Sequence, residues 1–97
     1  MPRYVSLINW TQQGIADFKQ TVERSEAVRQ LVDQLGARLV DIYWTVGEYD
    51  IVAVVEAPDD ETGTAALLTI GAQGNVRTKT MRAFTADEMR GVIEKTP

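Results

Sequence analysis

The stretch WTVGEYDIVAVVEAPDD, residues 44–60, carries the clearest structural signal in this chain. It joins a short polar turn to an apolar run rich in valine, which is the composition of a buried strand. Gly47-Glu48 matches a two-residue hairpin loop that begins with glycine, because glycine readily adopts the positive φ that such a turn needs. We therefore predict a β-hairpin whose strands cover residues 37–46 and 49–57.

The register of this hairpin assigns each side chain to a face, because opposed residues of an antiparallel pair lie on the same side of the sheet. One predicted face carries only apolar or amphipathic pairs and should pack against helices: Val46/Tyr49, Trp44/Ile51, Ile42/Ala53 and Val40/Val55. The opposite face is mixed and carries Thr45/Asp50, Tyr43/Val52, Asp41/Val54 and Leu39/Glu56.

Periodicity and capping signals place the other elements. Apolar residues at the i, i+3, i+4, i+7 spacing of one buried face predict a helix over residues 21–35, and Thr85 and Glu88 have the spacing of a capping box. The remaining segments predict strands over 3–10 and 75–84 and helices over 58–74 and 85–95. The order β-α-β-β-α-β plus a terminal helix predicts a ferredoxin-like α+β fold, and the length predicts one domain over residues 1–97.

Composition excludes several classes of function. Ten basic and fourteen acidic residues give a net charge of −4, which disfavours nucleic-acid binding by phosphate neutralisation. The chain has no cysteine and no histidine, so thiol chemistry, zinc–thiolate sites and histidine-based acid–base catalysis are absent. No segment has the length of a signal peptide's apolar region or of a membrane span, and we expect a cytoplasmic protein that does not bind membranes.

The predicted fold leaves one face of the sheet without helices. Val52 and Val54 place apolar groups on that face, and we add the first-strand residues Tyr4, Ser6, Ile8 and Trp10, together with Thr78 and Thr80. A bare, half-apolar sheet face favours a partner, and packing of two sheets face to face would cover it. We therefore predict a homodimer or a higher oligomer formed through the open sheet face.

Four segments of the chain resemble the GYD-domain family. They are Gly47-Glu48-Tyr49-Asp50 with the following IVAVVEAPDD, and the stretches YVSLINWTQQGI, DIYWTVG and GNVRTKTMRAFT. The resemblance covers nearly the whole chain and implies the dimeric α/β barrel superfamily of ferredoxin-like proteins. That superfamily includes cofactor-free monooxygenases, small isomerases, haem-dependent enzymes and proteins without demonstrated catalysis, so the resemblance implies a fold and does not choose an activity.

Binding of a small apolar or aromatic metabolite, or of a partner, is the first hypothesis. Amphipathic aromatic side chains with a nearby cation could line such a site, and the candidates are Trp10, Tyr43, Trp44, Tyr49 and Arg77. The packing alternative places Trp44 and Phe84 in the core and Tyr43 in a dimer interface.

A cofactor-independent enzyme of the dimeric α/β barrel type, a small monooxygenase or isomerase, is the alternative. Asp50 or Asp41 would accept a proton, and Tyr43 or Tyr49 would donate a hydrogen bond. The absence of histidine counts against this hypothesis. For Asp50 a local role in the turn, through a side-chain hydrogen bond to Thr45, is the competing interpretation.

We expect no cofactor and no metal. Haem would need tyrosine or methionine as its axial ligand, because histidine and cysteine are absent. Asp59, Asp60 and Glu61 could bind Mg²⁺ or Ca²⁺, but acidic residues at the start of a helix are explained by their interaction with the helix dipole.

Overall fold

The computed structural model describes all residues, Met1–Pro97, as a four-stranded antiparallel sheet with two helices packed on one side. The elements are β1 (Arg3–Trp10), α1 (Gln12–Ala16), a 3₁₀ turn (Phe18–Gln20), α2 (Thr21–Gln34), β2 (Arg38–Trp44), β3 (Ile51–Glu56), α3 (Asp60–Ala72), β4 (Val76–Ala83) and α4 (Ala86–Glu94). The strands lie in the order β2-β3-β1-β4, and the packed helices are α2 and α3. The predicted ferredoxin-like α+β fold with an added terminal helix is confirmed.

Local hydrogen bonds begin two of these helices. The Asp59 carboxylate accepts the backbone N–H of Thr62 at 2.7 Å at the start of α3. Thr85 and Glu88 form both bonds of the predicted capping box at the start of α4. Such caps satisfy backbone N–H groups that have no partner within the helix, so these short sequence signals determine where α3 and α4 begin.

The hairpin has the predicted register over most of its length. Four predicted pairs are observed: Trp44/Ile51, Tyr43/Val52, Ile42/Ala53 and Asp41/Val54. The turn is longer than predicted, because β2 ends at Trp44 and β3 begins at Ile51. Thr45 still donates its backbone N–H to the carbonyl of Asp50 at 2.8 Å. Gly47 has the expected positive φ, of 139°.

A β-bulge at Val40 changes the register near the start of β2. Leu39 there opposes Val55 and Arg38 opposes Glu56, so the predicted pairs Val40/Val55 and Leu39/Glu56 are wrong. A bulge inserts one extra residue into a strand and reverses the facing of the residues beyond it. The bulge turns Leu39 toward the helices, where only 3% of its surface is exposed.

Two further predictions about faces are wrong. Val46 was expected to pack against helices, but it lies in the turn and is fully exposed. The even-numbered residues of β1 were assigned to the open face, but they lie on the helix side. Ser6 shows this because it opposes Ala53 and Thr80, is only 3% exposed, and shares a hydrogen bond of 2.7 Å with the Thr80 hydroxyl. The residues that this correction assigns to the helix side are Tyr4, Ser6, Ile8, Trp10, Thr78 and Thr80.

The open face of the sheet is defined by the odd-numbered residues of β1 and their neighbours. Its centre is apolar, and its two edges carry charged or amphipathic side chains. The residues are Val5, Leu7, Val52 and Val54 at the centre, Asp41 and Tyr43 on β2, and Arg77, Lys79 and Met81 on β4.

Packing on the helix side is sparse. Only 10 of the 97 residues are buried, and Val32 is the only large side chain with almost no exposed surface. The radius of gyration is 14.5 Å, larger than the value of about 13 Å expected for a compact chain of roughly this length. One cause is α4, whose apolar residues Met89, Val92 and Ile93 remain exposed. No helix of the fold combines the length and the hydropathy required to cross a bilayer.

Candidate functional site

A cavity of about 100 Å³ lies between the sheet and helices α2 and α3. Twelve of its nineteen lining residues are hydrophobic. The apolar wall consists mainly of Val28 and Val32 from α2, Leu39, Ile42, Ile51, Ala53 and Val55 from the hairpin, and Leu67 and Ile70 from α3. The cavity exists because the small side chains of Ser6 and Ala53 lie at the centre of the sheet and the helices do not fill the space above them.

Polar groups are concentrated at one end of this cavity, which we call the polar end. It is formed by Thr21, Arg24 and Ser25 from the first turns of α2 and by Gln73 and Asn75 between α3 and β4. These segments meet where β1 ends, since Trp10 pairs with Val76 and the Thr11 N–H donates to the Asn75 carbonyl at 3.1 Å. The cavity therefore has an apolar body and a polar end.

Trp10 contributes an unusual feature to the cavity wall. Its indole Nε1 is buried and has no hydrogen-bond partner. A buried donor without an acceptor costs about 1–3 kcal/mol, so such groups are rare unless a ligand or water completes them. The other tryptophan shows the usual arrangement, because Trp44 Nε1 donates to the Thr21 hydroxyl at 2.9 Å.

The Asp50 carboxylate has a structural partner. It accepts the backbone N–H of Trp10 at 2.9 Å, and the Asp50 N–H donates to the carbonyl of Ile8 at 2.9 Å. Asp50 therefore fastens the end of β1 to the start of β3. The side-chain bond predicted between Asp50 and Thr45 is not formed, because the Thr45 hydroxyl donates to the Tyr49 carbonyl instead.

The other predicted site residues are divided between the two sides of the sheet. Tyr43 and Arg77 lie on the open face, where Tyr43 is 58% exposed. Tyr49 lies in the turn, with the Lys79 ammonium 5.8 Å from its ring centre. Trp44 borders the cavity through its bond to Thr21, and Trp10 lines it. Trp44 and Phe84 are 40% and 50% exposed, so the alternative that places them in the core is wrong.

Sequence reasoning missed the helix side of the cavity. Thr21, Ser25, Val28 and Val32 follow one another at helical spacing and all line it. This stripe changes from polar to apolar along the helix, and that change is the signal in the sequence that indicates a cavity with one polar end.

The acidic residues that open α3 have partners within the chain. Asp59 caps the helix, and Asp60 accepts the hydroxyl of Tyr4. This hydrogen bond from Tyr4 to Asp60, together with burial, raises the pKa of the Tyr4 phenol. Gly63 makes room for the same ring, because a Cβ there would lie 3.2 Å from it. No three acidic residues are grouped closely enough to hold a metal ion.

The fold and the cavity define a ferredoxin-like α+β protein with an internal apolar pocket. The model of the GYD domain matches residues 4–93, so the chain belongs to the GYD-domain family, as its four segments predicted. A protein of Thermus thermophilus is 33% identical over 90 residues, which cover 92% of this chain and 95% of that protein. It is named "Glutamine synthetase and cystathionine beta-lyase binding protein".

Two crystal structures have similar folds. TTHA0845, also from Thermus thermophilus, has a TM-score of 0.56 at 25% identity, covering 89% of this chain and 96% of that one. MtbAldR has a TM-score of 0.69 at 14% identity, covering 87% of this chain. This chain spans about half of MtbAldR, 52% of its length, and that similarity concerns the fold alone.

The role of Asp50 can be tested by removing its carboxylate. We expect Asp50→Ala to lower the free energy of unfolding by about 1–2 kcal/mol, because the Trp10 N–H loses its acceptor. Asp50→Asn keeps an oxygen acceptor and should cost less than half as much. Glu48→Ala, in the same turn but exposed, is the matched control and should change stability by less than about 0.5 kcal/mol. Urea unfolding measures all three, and an Asp50→Ala variant as stable as the parent would show that the carboxylate has no structural role.

Proposed function

We propose that the chain is a homo-oligomeric binding protein whose helix–sheet cavity takes a small apolar or aromatic molecule. The observation that carries the proposal is the buried, unpartnered indole N–H of Trp10 in the wall of a largely apolar cavity. A small rotation of the indole ring would bring this donor to a hydrogen-bond acceptor on a ligand, while the apolar part of the ligand replaces missing core packing. Ligand pockets commonly combine apolar walls with a few such polar groups.

The size of the cavity limits the ligand. Its volume is about 100 Å³, and an apolar cavity of about 150 Å³ in another protein stays dry and accepts benzene or xenon. A single aromatic ring or a short branched chain fits this range, with modest movement of α2 or α3. Larger polycyclic molecules would require the two helices to separate.

The positions of the acid–base candidates support binding over the alternative of a cofactor-independent monooxygenase or isomerase. Asp41 and Tyr43 project from the open face, away from the cavity. The Asp50 carboxylate is bonded to the Trp10 amide, and neither Asp50 nor Tyr49 lines the cavity. A substrate in the cavity would therefore contact none of these four residues.

A neutral single-ring amide, benzamide, tests the binding proposal. The chain has two tryptophans, so its ¹⁵N NMR spectrum contains two indole N–H signals. We expect benzamide to shift the Trp10 signal saturably, because the Trp10 N–H gains an acceptor, and to leave the Trp44 signal nearly unchanged. The Trp10→Phe variant assigns the two signals.

Two cavity-filling variants serve as controls for this titration. Ala53→Leu occupies the space from the sheet side and Val28→Phe from the helix side, and either folded variant should abolish the shift. A benzamide-induced shift that persists in both variants, or the absence of any shift in the parent, would contradict the proposal.

The open sheet face supports self-association with a second copy as the occupant. Its apolar centre is flanked by Arg77 and Lys79 on the β4 edge and by Asp41 and Arg38 on the β2 edge. If two copies face each other about a two-fold axis parallel to the strands, β4 lies opposite β2 of the second copy. Asp41 of each copy then lies on the same side of the interface as the basic residues of the other copy's β4, so one pairing of opposite charges is available twice.

Replacing a central residue of the open face tests whether a second copy of the chain covers it. We expect the parent chain to sediment at twice its monomer mass of 10.8 kDa, and Val54→Glu to sediment as a monomer, because the charge would be buried without a partner. Val22→Glu, on the exposed surface of α2, should remain dimeric. Sedimentation equilibrium decides the matter, and a monomeric parent chain would contradict the proposal.

Binding to another protein is a second candidate function. It is supported by the name of the relative from Thermus thermophilus and by the amphipathic α4. Met89, Val92 and Ile93 share one apolar side of this helix and are 46%, 38% and 56% exposed. A helix of nine residues is marginal in water without packing, so a partner on this side would stabilise it.

Glutamine synthetase and cystathionine β-lyase from Thermus thermophilus, the organism of the relative, are the probes for this function. We expect the labelled chain to bind at least one of the purified enzymes, and Ile93→Asp to weaken that binding by about tenfold or more, as for a buried interface residue. Glu94→Gln, next to it, should bind normally. Binding of neither enzyme would contradict this candidate, and a loss of self-association in Ile93→Asp would place α4 against the second copy instead.

A further inference from the structure

Arg24 is the only charged residue that lines the cavity. One N–H of its guanidinium donates to the carbonyl of Gly14 at 3.1 Å, and the side chain is half-buried. It has no carboxylate partner, because the ion pairs of the chain are Arg3–Glu56 and Arg90–Asp87. The cavity thus contains one positive charge that no group of the protein neutralises.

The surroundings of Arg24 add to its preference for an anion. Arg24 and Thr21 lie in the first turns of α2, and this helix start has no side-chain cap. The positive end of the helix dipole therefore lies near the polar end of the cavity, and Glu23, the acidic residue of this first turn, does not line the cavity. The unpartnered Trp10 indole N–H belongs to the same cavity wall. The Arg24 guanidinium and the Trp10 N–H therefore share a cavity wall that contains no carboxylate.

We propose that the natural ligand of the cavity is a small monocarboxylate with an apolar or aromatic body. This inference rests on the proposed binding function and specifies the chemistry of the ligand. The carboxylate binds at the polar end, where Arg24 supplies charge-assisted hydrogen bonds, and the body occupies the apolar part between Val28, Ile51 and Leu67. The Trp10 N–H donates to a carboxylate oxygen or to a second acceptor on the ligand.

The same wall disfavours two other kinds of ligand. A phosphate dianion would enter a largely apolar cavity that supplies a single cation. A free amino acid would bring an ammonium group, and no Asp or Glu lines the cavity to accept it. Burying a charge without a partner is costly, so both should bind much more weakly than a simple carboxylate.

Benzoate and benzamide form a matched pair of probes, because they have nearly the same shape and differ in charge. We expect benzoate to bind about tenfold more tightly than benzamide to the parent chain, the effect of one charge-assisted hydrogen bond. Arg24→Gln should weaken the binding of benzoate about tenfold and should change the affinity for benzamide by less than about twofold. Arg24→Lys should recover part of the benzoate affinity. The Trp10 indole N–H signal reports each affinity at the cavity itself.

The outcomes separate this inference from the function on which it rests. Equal affinities for benzoate and benzamide, or unchanged benzoate affinity in Arg24→Gln, would overturn the carboxylate assignment while the cavity remained a binding site. Tight binding of L-phenylalanine would overturn it as well. A Trp10 signal that responds to neither probe would overturn the binding function itself. Unchanged benzamide affinity in Arg24→Gln also shows that this variant is folded.

Discussion

The alternation of side chains along β1 determines which residues of the sheet face the helices. β1 pairs with both β3 and β4, so the facing of its residues fixes the facing of the two neighbouring strands. Its even-numbered residues point toward the helices, and among them Ser6 is small and Trp10 is large. The small residue leaves space at the centre of the sheet, and the large one closes one end of that space. The cavity is therefore a consequence of strand alternation combined with residue size.

The sequence predicts the architecture well because short-range chemistry determines it. The glycine-containing turn, the acidic residues before α3 and the capping box before α4 each satisfy local backbone requirements, and the structure confirms the order of elements that they imply. The bulge at Val40 was not predictable in this way. It depends on the burial of Leu39 against the helices, which is a tertiary contact with no local signal.

The candidate site was predictable only in part, and the reason is also physical. Tyr43 and Trp44 are neighbours in the sequence, but strand alternation places Tyr43 on the open face and Trp44 at the border of the cavity, while Trp10 lines the cavity from a different strand. The first strand could have been assigned to the helix side only from its pairing with β3 and β4, which the sequence does not specify. Arg24 was missed because a charged residue near a helix start usually faces solvent, and only the packing of α2 on the sheet brings it to the cavity.

Sparse packing and binding are connected in this molecule. A chain of this size buries a limited fraction of its surface, and here only a tenth of the residues are buried. A molecule in the cavity and a second copy on the open face would each add apolar contacts that the isolated chain lacks. Any species that binds only the folded state stabilises it by RT ln(1 + [L]/Kd), where [L] is its free concentration. The two faces of one sheet thus offer two separate sources of stability, one internal and one between chains.

A crystal of the chain exposed to xenon under pressure tests the central claim, that the helix side of the sheet encloses an apolar cavity able to hold a molecule. Xenon enters dry apolar cavities and is located directly by its anomalous scattering. We expect a xenon atom between α2 and β3, in contact with Ala53 and near the Trp10 indole. Helices closed against Ser6 and Ala53, with no xenon between them and the sheet, would contradict it.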